Sequence, residues 1–282
     1  MPNSPQMNEK RQQKISSLVK LTAISGLIIF ACVLPLQRNL TIHFIDVGNG
    51  DAIFIKLPDQ TNLLIDTGEK EYAEKIVKYL RSLGVKEVQK VVLTHPHSNH
   101  FGGLAGIIHE ISVGQVYVNG DDNGGDVGYK ALMQQLALNR IPVTTLRRGD
   151  IIPFSSPALI MRVLHPPEFD NSLDSTNSKS IALLFTYDQT DFFFTGDVDE
   201  PRQDQIINLY PELSSVDCVQ LPHHGKDVSD LFAQFFQDKI FVASSDNNHQ
   251  VRKSAEKLKG RVLRTDRLGT VVIASNGKKI IL

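Results

Sequence analysis

The stretch "LTHPHSNHFGG", residues 93–103, puts His95, His97 and His100 within six positions and Gly102-Gly103 directly after them. The run before it, "VQKVVLTH", is apolar and β-branched, so it reads as a buried strand that delivers His95 at its end. A tight loop can aim 95 and 97 at one point, and 99 and 100 at a second point nearby. Imidazole suits borderline cations such as zinc, and a shared carboxylate holds two cations about 3.5–4 Å apart. Asn99 breaks the pattern, because it puts a neutral amide where a carboxylate makes chemical sense.

Two more polar clusters follow apolar runs. Asp197 closes "FFFTGD", where its carboxylate would be poorly placed without a cation. The competing reading makes it the N-cap of a helix over "VDEPRQDQII". "VDCVQLPHHG" ends on His223 and His224. Strand-end loops are where a rigid scaffold presents a site. The remaining pattern is β-rich α/β. Three short β-runs fill 41–68, and a helical stripe at 72, 76, 80 and 83 stops at Gly84. "YKALMQQLALNR" is helical and "IPVTTLRRGDIIPF" returns to β. Residues 180–197 read as a hairpin, "DVSDLFAQFFQ" as a helix, and the tail from 261 as β with a turn at Asn276-Gly277.

The chain has 282 residues and a formal net charge of −1, so nothing draws it globally to nucleic acid, and any polyanion would need a local basic patch. Arg147, Arg148, Lys226, Arg252, Lys253, Arg264 and Arg267 are candidates for such a patch. The N-terminus differs from the rest. Residues 1–20 are polar with a basic flank, and 21–37, "LTAISGLIIFACVLPLQ", carry no charge. At about 1.5 Å per residue that run is short for a ~30 Å hydrocarbon core. It suits a membrane anchor, a cleaved signal, or a lipidated segment beginning at Cys32. Each of these leaves the basic end in the cytoplasm and the domain at 39–282 outside.

In this order "HFIDVGNGDAIFI", "LLIDTG", "VLTHPHSNHFGGL", "VLHP", "NSKSIALLF", "FFFTGD", "LPHHGK" and "LRTDRLGTV" resemble the metallo-β-lactamase superfamily, and within it the hydrolase domain of ComEC competence proteins. The resemblance runs from about 41 to 282. It implies an α/β fold, an αββα sandwich with the metal site at one edge of two sheets, here preceded by an N-terminal apolar helix. By position it implies His95, His97 and Asp197 around one cation, and Asn99, His100, Asp197 and His224 around a second. It also implies His223 and Asp197 as catalytic residues and Asp66 orienting a ligand histidine; Lys226 and His249, where the chain departs from the pattern, are expected to meet substrate. The cofactor implied is zinc, one or two ions, with manganese as the alternative. Asp46 and Asp51 read as turn-formers beneath the site, and His43 and His109 as structural.

The chain departs from the family pattern at Asn99, at Lys226 in place of serine, and after "SSDNN". "NSKS" stands where lactamases carry a third histidine of the first site, which favours phosphodiester over lactam or thioester hydrolysis. The expectation is an exported, membrane-tethered metal-dependent phosphodiesterase or nuclease acting in DNA uptake or degradation with DNA-uptake partners. The alternative is a degenerate module that binds nucleic acid or a cell-wall polymer, which Asn99 keeps open.

Overall fold

The computed structural model describes residues 39–168, 175–246 and 249–281. In chain order these form β1 (Leu40–Phe44), β2 (Ile53–Lys56), β3 (Asn62–Ile65), α1 (Ala73–Ser82), β4 (Glu87–Val92), α2 (Ser98–Phe101), α3 (Leu104–Glu110), β5 (Ser112–Val118), α4 (Val127–Leu138), β6 (Val143–Thr145), β7 (Ile151–Ile152), β8 (Leu159–His165), β9 (Ala182–Tyr187), β10 (Thr190–Phe194), α5 (Glu200–Leu209), β11 (Cys218–Gln220), α6 (Asp230–Phe235), β12 (Lys239–Ala243), α7 (His249–Lys257), β13 (Gly260–Arg264), α8 (Thr265–Leu268), β14 (Val271–Ser275) and β15 (Ile280–Ile281).

Strand periodicity sorts the apolar residues into three layers. Side chains alternate across a strand, so Leu40, Ile42 and Phe44 of β1, Ile53 and Ile55 of β2, and Phe192 and Phe194 of β10 meet in one core between two sheets. Phe54, on the other face of β2, joins Ile76 and Leu80 of α1, Ile107 of α3 and Leu132 and Leu136 of α4. Phe193 joins Ile206 of α5, Phe232 of α6 and Val251 of α7. The result is an αββα sandwich. One sheet runs β15-β14-β1-β2-β3-β4-β5-β6 and the other β13-β12-β11-β10-β9-β8-β7. β3, β4 and β5 are parallel in the first sheet, and β10, β11 and β12 are parallel in the second. Cys218 of β11 is a free thiol in the inter-sheet core, and burial pushes its pKa up.

"IPVTTLRRGDIIPF" is β, with β6 at the edge of the first sheet and β7 at the edge of the second. One sequence expectation changes in detail. The tail is interrupted by α8, one short turn between β13 and β14.

The larger correction concerns the membrane. Among the described residues no helix is long and apolar enough to cross one. α4, with 12 residues, spans only about 18 Å of the ~30 Å needed. The apolar helix and membrane anchor expected at 21–37, and the lipidation at Cys32, lie outside the described residues. The membrane-tethered, extracytoplasmic hydrolase with DNA-uptake partners is therefore withdrawn.

His43 shows what a structural histidine looks like here. It is buried on β1, with Nδ1 2.8 Å from the Tyr79 hydroxyl and Nε2 2.9 Å from Thr41 Oγ1. Burial, reinforced by Lys56, lowers its pKa from 6.5 to about 4. Between those values the unfolded chain binds a proton that the native ring refuses, so stability falls as pH drops through this window. A gap of that size is worth about 3 kcal/mol. His43→Gln should flatten the fall in urea midpoint between pH 7 and 4.5 and leave metal content unchanged. An unaltered pH slope in the variant would remove His43 from the account.

Candidate metal centre

The candidate ligands come from loops at one rim of both sheets. β4 runs out into Thr94 and His95, and α2 then carries Asn99 and His100. β10 runs out into Thr195-Gly196-Asp197. β11 leads into a short 3₁₀ turn, Pro222–Gly225, where His223 (φ 47°) and His224 (φ 58°) both sit in the left-handed region. Non-glycine residues held there are strained, and such strain clusters at functional sites. The sheets are locked together at this rim. Ile181 N donates to Thr94 O at 2.9 Å and Gln220 Nε2 to Asp51 Oδ2 at 2.8 Å, while His223 N donates to Gly196 O at 3.2 Å between two loops of the second sheet.

Asp197 is the centre of the arrangement. Its Oδ2 lies 3.2 Å from His100 Nε2, 3.4 Å from His224 Nε2, 3.8 Å from His95 Nε2 and 3.9 Å from His223 Nε2. Two ligands bound tetrahedrally to one zinc ion stand about 3.3 Å apart, which matches the closer pair. His95 Nε2 also lies 2.9 Å from His97 Nδ1, so those rings converge on a neighbouring point. Asp197 is not the N-cap of α5; Asp199 is, accepting from Arg202 N. Asp197 Oδ1 is buried and makes no hydrogen bond. A buried carboxylate oxygen without a partner is costly unless a cation meets it.

Behind the rings stand more carboxylates. Asp66, itself in the left-handed region at φ 58°, holds His100 Nδ1 at 2.8 Å and accepts from Thr94 N and Thr94 Oγ1, both at 2.7 Å. Asp51, expected as a turn-former, is instead fully buried in the cluster, with Oδ2 3.6 Å from His224 Nδ1. Asp51, His100, Asp197 and His224 each offer a ligand atom within 4.8 Å of the others. Asp46 does stay outside, paired with Lys75 at 3.0 Å.

Electrostatics fit cation binding. Burial, then the nearby His100 charge, lowers the pKa of His95 and of His97, leaving neutral lone pairs. Burial would raise Asp197, but His100 and His224 outweigh it and hold the carboxyl well below its usual range. For His100, burial is outweighed by Asp197 and Asp66, which raise it well above the usual value. Burial raises Asp51 against the pull of His224 and His100. A cation entering here displaces the His100 proton, so its affinity rises with pH. These buried His and Asp groups form the active site of a metal-dependent hydrolase.

The other expected residues are placed less centrally. Asn99 does not turn its oxygen to the cluster; its Nδ2 lies 3.0 Å from His224 Nε2. His223 is half-buried, with Nδ1 2.5 Å from Asp227 Oδ2, a partner the sequence reading missed. Asn177 of "NSKS" lies beside His97, and Ser180 Oγ accepts from Asp197 N at 3.3 Å. Lys226 is half-buried just after the histidine turn. His249 opens α7, and its side chain is outside the described part. The basic patch is partly spent within the fold. Arg147 donates to the carbonyls of Asn119 and Leu146, and Arg264 pairs with Asp266 at 2.9 Å.

Comparison with known proteins agrees with this geometry. Residues 45–222 match the model of the "Metallo-beta-lactamase superfamily". The chain is 26% identical to ComE operon protein 3 of Bacillus subtilis, over 93% of this chain and 36% of that protein. It is 27% identical to Competence protein ComA of Neisseria gonorrhoeae, over 80% of this chain and 31% of that one. The chain thus spans about a third of the length of these relatives, to which its relation is weak. The solved metallo-beta-lactamase fold protein YhfI from Bacillus subtilis superposes with a TM-score of 0.58 at 13% identity, over 84% of this chain and 100% of that one. That likeness concerns the fold.

Proposed function

We propose that this chain, which belongs to the metallo-β-lactamase superfamily, hydrolyses an anionic ester, with Asp197, His95, His97, His100 and His224 as the residues that hold its metal. The observation that carries this reading is the convergence of four imidazole Nε2 atoms within 3.9 Å of one buried carboxylate oxygen. The imidazole and carboxylate set suits zinc, with manganese as the alternative. A bound divalent ion supplies Lewis acidity and acidifies water.

The chain's own residues do the rest. Asp66 accepts from His100 Nδ1 and turns that ring's Nε2 toward Asp197. Asp51 lies on the Nδ1 side of His224, opposite Asp197, at 3.6 Å, so it adds negative charge behind that ring rather than sharing its cation. His223 is braced by Asp227 at Nδ1, which leaves Nε2 at the rim to pass a proton to the leaving group. Lys226, next in the chain after the turn, gives the rim a positive charge suited to an anionic substrate.

The test uses the full chain and chromogenic phosphodiester, phosphomonoester, thioester and lactam substrates. Turnover of a phosphate ester is expected, abolished by a chelator and restored by zinc or manganese. A chain that binds no divalent ion, or whose turnover ignores the chelator, would overturn the reading.

A further inference from the structure

Asn99 sits at the meeting point of three loops. Its backbone oxygen accepts from Asp51 N at 3.3 Å, and a Cβ built on Gly50 would come within 2.5 Å of that oxygen, so the 46–51 loop is pressed against it. Its side-chain Nδ2 lies 3.1 Å from Asn49 O and 3.0 Å from His224 Nε2. The Asn49 carbonyl can only accept, so the amide atom facing it must be the nitrogen, which fixes the orientation of the side chain. Both hydrogens of that nitrogen are then used, one on Asn49 and one on His224. In that arrangement His224 Nε2 accepts, and its Nδ1 faces Asp51 Oδ2 at 3.6 Å without a hydrogen bond. The lone pair that points toward Asp197 is the one a cation needs.

From this we infer that Asn99 is not a metal ligand but a competitor for one: its amide hydrogen occupies the His224 lone pair and sets a low affinity at the His100–Asp197–His224 position. A flip offering Oδ1 to a cation would set that oxygen against the Asn49 carbonyl, so the amide is held in its competing orientation. The exchangeable metal that follows is a property of this chain's amide. It rests on the metal-centre reading given under Proposed function.

The experiment measures zinc dissociation constants by competition with a chromophoric chelator, together with melting temperatures in chelator, for the full chain, Asn99→Ala and Asn99→Asp. Asn99→Ala removes the competitor and adds no ligand. It should tighten zinc about fivefold, the worth of one neutral hydrogen bond, while lowering the metal-free melting temperature through loss of the Asn49 link. Asn99→Asp should tighten zinc at least about tenfold, because a carboxylate replaces the amide beside a dication. Weaker zinc binding by Asn99→Ala would show Asn99 to be a ligand and overturn the inference, leaving the hydrolase reading intact. Unchanged affinity in both variants would overturn it too. If none of the three proteins binds zinc or manganese, it is the hydrolase reading that fails.

Discussion

Asp197→Ala is expected to lower turnover at least about a thousandfold and to strip the chain of its divalent ion. No other side chain described touches so much of the centre. One oxygen faces four imidazoles, and the other is buried without a hydrogen bond. The substitution also removes the carboxylate at His100 Nε2 and leaves that ring with Asp66 and the more distant Asp51 on its Nδ1 side, and breaking a buried ion pair costs about 3–5 kcal/mol. Lost activity in the alanine variant could therefore come from unfolding. Asp197→Asn answers this, because it keeps the shape and removes the charge. It should stay folded, with metal content near zero by elemental analysis and turnover near background. Metal content equal to that of the parent chain in Asp197→Asn would remove Asp197 from the ligand set.

The largest expected effect on stability lies at Gly103. A Cβ there would stand 2.2 Å from the Thr67 carbonyl oxygen, a backbone atom that cannot step aside. Thr67 is itself fixed, with N 2.6 Å and Oγ1 2.9 Å from His100 O. Gly103 N in turn donates to Gly68 O at 3.0 Å. Gly103 has an ordinary helical φ of −74°, which alanine adopts without backbone strain, so close approach decides the outcome. Gly103→Ala should cost about 3 kcal/mol, a fall in melting temperature of roughly 6–12 °C for a domain of this size. It should also weaken zinc binding, since His100 is anchored to the displaced Thr67. A melting temperature within 2 °C of the parent would show that the segment slides to make room, and the close packing would then carry no weight.

Three of the proposed ligands are conspicuous in the sequence because each follows an apolar strand run. A polar residue delivered from a buried strand has few reasons to be there, and His95, Asp197 and His224 stand out on that ground. Asp51 did not stand out. Directly after Gly50 and before "AIFI" it looks like any turn aspartate, and what changes its meaning is Gln220, 169 positions away. No local pattern carries such a contact. The orientation of the Asn99 amide was also invisible, since it depends on which atom of the 46–51 loop faces it. The separation of β6 from β7 was hidden because period-2 alternation says that residues form strands and not which sheet they join. Asp199 took the helix cap expected as the competing role of Asp197, two positions from where the boundary was drawn, a common size of error at helix ends.

The thiol of Cys218 gives this molecule a built-in reporter. It faces the core between the sheets, and its raised pKa keeps it in the unreactive thiol form. Reagents can label it only when the two halves of the sandwich part. With Cys32 replaced by serine, the rate of labelling becomes a clock for that opening. Run with and without added zinc, the clock gives in one ratio how strongly a cation fastens one half of the sandwich to the other, with no substrate needed.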